Sequence, residues 1–206
     1  MKFFKIAKQA ETEPCSAAIG PSRMVLQPDD LAAPASWMNV CPSQIVNCPG
    51  QALSWEYQSL VDEASAFYLS VWRDNGNGTI SMVGSTRINA TTIGLETYEL
   101  QDSERFNVQT GDFLGIYYED LDWHGVVPYA NEQKLNGFTL QDLENCRTAP
   151  LERNDVQELL RIFGNVRIEN FSPVRRLYSF RLNVGGTQSM QKSQKTLWVA
   201  RGFWCP

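Results

Sequence analysis

AFYLSVWRD (66–74), NGNGT (75–79) and ISMVGSTRI (80–88) read in order as strand, turn and strand. The alternation runs on through GLETYELQDSERFNVQTGDFLGIYYED (94–120) to HGVVPYA (124–130). In the first run Phe67, Leu69 and Val71 fall on one side of an extended chain and Tyr68, Ser70 and Trp72 on the other, because strand side chains alternate. Residues 74–79 supply Asp, Asn and Gly, which tolerate positive φ, so a tight hairpin is expected there. Gly94 opens a half-buried segment over 95–100, with Glu96 and Glu99 facing water. Phe106 and Val108 lead into a second tight turn at 109–112. Residues 113–118 form the most apolar and hence most central strand.

From Phe138 the apolar period lengthens from two to about 3.6. Thr139 is placed to cap a helical turn carrying Leu140, Leu143 and Cys146. A longer helix is expected over about 155–163, started by Asn154 or Asp155, with Val156, Leu159, Leu160 and Phe163 on one face and Gly164 as its stop. Such a helix would cover one sheet. Alternation returns over 175–184 and 196–201, giving two closing strands. The pattern predicts a mainly β fold, a two-sheet antiparallel β-sandwich of jelly-roll type with about eight strands and one short covering helix. Residues 1–50 carry Pro14, Pro21, Pro28, Pro34, Pro42 and Pro49, too many for a helix or a central strand, and read as an extended Pro/Cys-rich arm. Residues 51–206 are then the sandwich domain, with a helical insertion at about 138–164.

The chain has 206 residues, 43% hydrophobic and 20% charged, enough for one ordinary core. Its net charge of -5 opposes nucleic-acid binding, which needs a dense basic surface. No run is long and apolar enough for a membrane helix, so no membrane insertion is expected. The five cysteines, Cys15, Cys41, Cys48, Cys146 and Cys205, include no C-x-x-C pair, and His124 is the only histidine, so disulfides are a better reading than zinc. An odd count leaves one cysteine over. Cys205 is expected to pair with Cys15, Cys41 or Cys48, since domain termini often lie close together. Three sequons, at Asn77, Asn89 and Asn170, are glycosylation candidates and a further sign of secretion. The segment MKFFKIAKQAETEPC lacks the apolar stretch of a signal peptide, so the chain reads as an excised or mature piece of a larger extracellular protein or assembly.

No nucleophile elbow, phosphate-binding loop, zinc-protease helix or dinucleotide fingerprint occurs, and the chain is expected not to be an enzyme. The segment 117–124 is the richest surface candidate. Tyr118 and Trp123 could stack on a sugar ring or anchor a protein interface, while Asp120 and Asp122 accept hydrogen bonds from hydroxyls or amides. The same acids, with Glu119, offer hard oxygen ligands to calcium, the one cofactor the sequence leaves open. Asp74, Asn75 and Asn77 offer a second such set, although turn geometry alone accounts for them. Paired carboxylates among Glu119, Asp120 and Asp122 would also serve a glycan-cleaving enzyme, an alternative of another class.

The run S-V-W-R, a hairpin, M-V-G-S, then F-N-V-Q-T-G-D-F-L-G-I-Y-Y, over roughly 53–130, resembles jelly-roll β-sandwich domains of secreted animal matrix and adhesion proteins. That resemblance implies extracellular placement and binding rather than catalysis, and it carries over no individual site residue. The function expected is recognition of a glycan or an extracellular protein through loops at one end of the sandwich. A structural subunit in a cross-linked extracellular assembly is the alternative.

Overall fold

The computed structural model describes residues 17–24, 36–61, 65–118, 126–131, 135, 138–151, 165–167 and 175–186. The helix expected over 155–163 and the strand expected over 196–201 lie outside the described residues. In chain order the strands are β1 (Ala17–Ile19), β2 (Ser36–Val40), β3 (Gly50–Ser59), β4 (Ser65–Asp74), β5 (Thr79–Ala90), β6 (Gly94–Glu99) and β7 (Asn107–Val108). They continue as β8 (Phe113–Tyr118), β9 (Tyr129–Ala130), β10 (Arg147–Leu151), β11 (Asn165–Arg167), β12 (Leu177–Tyr178) and β13 (Phe180–Gly185). Among the described residues one short helix, α1 (Leu140–Leu143), precedes β10, and a 3-10 turn (Pro42–Gln44) follows β2. The fold is mainly β, with antiparallel sheets.

One sheet runs β1-β13-β3-β6, with β7 also on β3; the other runs β10-β2-β8-β4-β5-β11; β9 and β12 form a separate ribbon. The pairing is nested: β4 pairs β5, β3 pairs β6, β2 pairs β8 and β1 pairs β13, so each pair encloses the previous one along the chain. Successive pairs alternate between the two sheets. The stretch before residue 51, expected as an extended arm, contributes β1 and β2, each laddered into a sheet. Pro150 sits in β10, an edge strand, where a missing backbone donor is tolerated.

The hairpin between β4 and β5 forms as its composition predicts. Gly76 and Gly78 take φ of 74° and 80°, the left-handed region where a Cβ is penalised. Asp74 Oδ1 accepts from Gly76 N at 2.7 Å, and Asn77 Oδ1 accepts from Thr79 N at 3.0 Å and from Thr79 Oγ1 at 2.6 Å. These Asx bonds supply the closing interactions of the turn. The second turn works differently. Asp112 is buried and receives Arg73 in a two-pronged bridge, Nε to Oδ1 at 2.7 Å and Nη2 to Oδ2 at 2.8 Å, while Gln109 N donates to Oδ2 at 2.7 Å. The hydrogen bond to Asp112 holds the Arg73 proton more firmly than usual, against the opposing effect of burial. Asp112 therefore clamps the turn before β8 to the end of β4.

Between the sheets Trp55, Tyr57, Phe180 and Leu182 from one side meet Phe67, Leu69, Val71, Ile88, Leu114, Ile116 and Tyr118 from the other in a single apolar cluster. Trp55 is fully buried, and its indole N–H donates to Thr86 Oγ1 at 3.0 Å, satisfying the one polar atom it brings inside. Gly84 is required by close approach, since a Cβ there would fall 2.4 Å from the Phe106 ring. The predicted alternation in β4 holds, but the second face is covered too. Trp72 is 2% exposed with its N–H on Ser70 Oγ at 2.8 Å, and Tyr68 packs on Tyr117 with ring centroids 5.7 Å apart.

Candidate functional site

The site begins with a helix stop. Thr139 caps α1 in a reciprocal box: its hydroxyl accepts from Asp142 N at 3.2 Å, and Asp142 Oδ2 accepts from Thr139 N at 2.7 Å. Asn145 then takes φ 66°, the left-handed conformation that asparagine tolerates after a helix. The reversal delivers Cys146 to Cys41, and the two form a disulfide. Because Arg147 is registered with Val40, the bond sits one step beyond the last rung of the β10–β2 ladder and staples this edge. Leu143, Phe138, Leu177 and Ala130 bury against the bridge in a small apolar cluster separate from the inter-sheet core.

A cleft of about 280 Å³ opens on this cluster. Its walls come from the Gly20–Pro21–Ser22 stretch after β1, the 3-10 turn after β2, α1 and β12. Pro21, Phe138 and Leu177 are buried and form an apolar floor, while Ser22, Ser43, Gln141 and Glu144 are exposed at the rim. The described lining contains no lysine, arginine or histidine. Chemically it offers apolar contact below and oxygen and amide groups above, with Asp142 already engaged in the cap.

An aromatic series connects the inter-sheet core to the ribbon beside the cleft. Trp55, Phe180, Tyr178 and Tyr129 follow one another at centroid distances of 6.2, 6.3 and 5.2 Å. Arg176 lies over the half-buried Tyr129 ring at 4.6 Å and donates to Tyr178 Oη at 3.3 Å. Arg181 bridges Glu56 instead, through Nε at 2.8 Å and through Nη2, and Asn183 Nδ2 donates to the other Glu56 oxygen at 2.8 Å. Burial alone would raise the Glu56 pKa, but the bonds from Asn183 and Arg181 together with the Arg181 charge outweigh it and hold the carboxyl below its usual range. Burial and the neighbouring Glu96 carboxylate, which accepts from Tyr57 Oη at 2.7 Å, raise the Tyr57 phenol well above its ordinary value.

Of the residues singled out in the sequence, Tyr118 is described and lies 4% exposed in the inter-sheet core, 6.1 Å from the Phe67 ring. Its hydroxyl accepts from Val127 N at 3.2 Å, so the ring is a buried anchor rather than an open stacking surface. Glu119, Asp120, Asp122, Trp123 and His124 lie outside the described residues, and with them the expected calcium ligands. The other oxygen-rich set, at the hairpin, is engaged with its own turn. Among the described residues no group of three or more His, Cys, Asp or Glu converges on a metal position.

Cys41 and Cys146 pair with each other, which removes Cys41 from the expected partners of Cys205. Cys48 is disulfide-bonded as well, and Cys15 and Cys205 lie outside the described residues. Disulfides of this kind persist in oxidising compartments. Among the described residues no helix is long and apolar enough to cross a membrane. Asn77 and Asn89 are both exposed, and Asn170 lies outside the described residues. Sequence reasoning found the Thr139 cap but missed the cleft, because its walls meet only through contacts such as Cys41 to Cys146, 105 residues apart. No protein-family model, no curated protein and no solved structure matches this chain.

Proposed function

We propose that the chain is an extracellular, non-catalytic recognition module, built as a two-sheet jelly roll, that binds a glycan in the cleft beside the Cys41–Cys146 bridge. The jelly-roll reading is supported by the nested ladders. A jelly roll is a long antiparallel ribbon folded over itself, with first strand on eighth, second on seventh, third on sixth and fourth on fifth. Taking β1, β2, β3, β4, β5, β6, β8 and β13 as the eight, all four pairs are present and alternate between sheets that share one core. This order also agrees with the resemblance to secreted matrix and adhesion domains.

The observation that carries the functional reading is the lining of the cleft. A sugar presents an apolar C–H face and a ring of hydroxyls, and the cleft pairs a floor of Pro21, Phe138 and Leu177 with a rim of Ser22, Ser43, Gln141 and Glu144. Asp120, Asp122 and Trp123 follow in sequence on the buried anchor Tyr118, and they are the second set to test. A glycan array with wild type, Glu144→Ala and Trp123→Ala is the direct experiment. Wild type should bind a defined set of glycans, and Glu144→Ala should weaken binding about tenfold, the worth of one charge-assisted hydrogen bond. An array with no signal for any protein sinks the glycan reading, and capture of an extracellular protein at the same face would replace it.

The odd cysteine supports a second reading. Five cysteines cannot all pair within one chain, so bridges such as Cys41–Cys146 leave one over, as a subunit of a cross-linked assembly would need. Such a subunit would migrate as an oligomer on a nonreducing gel and as a monomer after reduction.

A further inference from the structure

The β4–β5 hairpin carries a feature that ligand recognition leaves unused, the sequon Asn77-Gly-Thr79 at its tip. We propose that Asn77 is the attachment point of an N-linked glycan on the native protein, a modification that rests on the extracellular placement proposed above. Asn77 is exposed, and its carboxamide oxygen is committed to Thr79, accepting from the backbone N–H at 3.0 Å and from the hydroxyl at 2.6 Å. Glycosyl transfer uses the other atom. The amide nitrogen bonds to the anomeric carbon of a polyprenyl-diphosphate-linked oligosaccharide as the carbon–oxygen bond to the diphosphate breaks. One amide proton and the polyprenyl diphosphate leave. The folded turn therefore keeps its closing bonds when the nitrogen is substituted. Space is available on both sides, because a Cβ built on Gly76 or Gly78 would meet no atom within 4 Å.

Asn89 is also exposed, but it lies within β5, opposite Ala66, and its carboxamide oxygen accepts from Arg87 Nη1 at 3.0 Å. The two sites fall at opposite ends of one ladder. Asn89 is one row from Phe67, which is registered with Tyr118, whereas Asn77 lies past Asp74. From Phe67 to Asp74 is seven residues along β4, about 23 Å at the rise of a strand. A glycan on Asn77 covers the hairpin end in water and leaves the Tyr118 end uncovered, so it is the site compatible with ligand binding by the residues that follow Tyr118.

The test uses the full chain behind a cleavable secretion leader, translated with microsomal membranes so that glycan addition is read whether or not the protein is exported. Wild type should lose mass on treatment with an amidase that releases N-glycans, and the peptide spanning Asn77 should then carry Asp at that position. Asn77→Asp, which retains the oxygen bound by Thr79, and Thr79→Ala should each lose one glycan; Thr79→Ser should keep it. Asn89→Asp should still carry the glycan at 77. Recovery of the wild-type peptide with an unmodified Asn77 overturns the proposal. Glycan-array binding of the same proteins separates this outcome from the recognition reading. An unmodified Asn77 on a chain that binds overturns only the modification, and a glycosylated chain that binds nothing overturns only the recognition.

Discussion

The inter-sheet core and the small cluster under α1 both exclude water, yet different forces hold them. The core is wide: Trp55, Tyr57, Phe67, Tyr118 and Phe180 come from four strands of two sheets and are fixed by ladder register. Among the described residues the cluster under α1 has Ala130, Phe138, Leu143, Leu177 and the two half-cystines, with Leu135 partly buried against them, and α1 itself has four residues. A helix that short has no stability of its own. The covalent bond and the Thr139–Asp142 box substitute for the missing apolar area, which is why the cleft can sit at this edge without a large core beneath it. The candidate site thus belongs to the less stable part of the molecule, and the scaffold to the more stable part.

The largest effect that would test this contrast is Trp55→Ala. Removing a fully buried indole leaves a cavity and strands the Thr86 hydroxyl, and stability should fall by about 3–5 kcal/mol in urea unfolding. A loss smaller than that of Leu143→Ala would reverse the ranking of the two clusters.

Next in size is the double substitution Cys41→Ala with Cys146→Ala. The bond closes a loop of 105 residues, and its removal should lower stability by about 2–4 kcal/mol. Hydrogen exchange gives the sharper readout. Amides of 139–146 should lose protection while those of β3, β4 and β13 keep theirs. Uniform loss across the sheets would show that the edge is not a separate unit.

The smallest effect is the pH dependence of the Glu56 bridge. Its folded-state pKa lies below that of the unfolded chain, so the bridge stabilises fully above the ordinary carboxylate range and fades as pH falls through the folded value. The contribution should stay within about 1 kcal/mol, because both side chains are partly solvated. Between about pH 6 and about pH 3 the wild type should lose more stability than Glu56→Gln by that amount. Equal losses would remove the bridge from the account.

Much of the scaffold was legible because its signals are local. The hairpin at 74–79 was readable from Asn and Gly, the strands over 66–74, 80–88 and 113–118 from alternation, and the Thr139 cap from its place before Leu140 and Leu143. Local signals fail where a strand is short or proline-rich. Residues 36–40 read as part of an extended arm, yet they form β2 between β10 and β8, held by partners more than 70 residues away. Tyr118 looked like a surface ring because it precedes acids; its row with Phe67 puts it inside. Nothing local could have shown that Pro21, Ser43, Gln141 and Leu177 line one cleft.

The sequence by itself determined where several strands begin and turn and which of their residues alternate, since backbone preference and side-chain period act within a few residues. Only the tertiary structure decided which strands pair, which acid is buried as Asp112 is, and which cysteine meets Cys41. Those choices follow from packing two apolar faces together and from contacts that close long loops, such as Ala17 on Val184 and Cys41 on Cys146, and no short window of sequence encodes them.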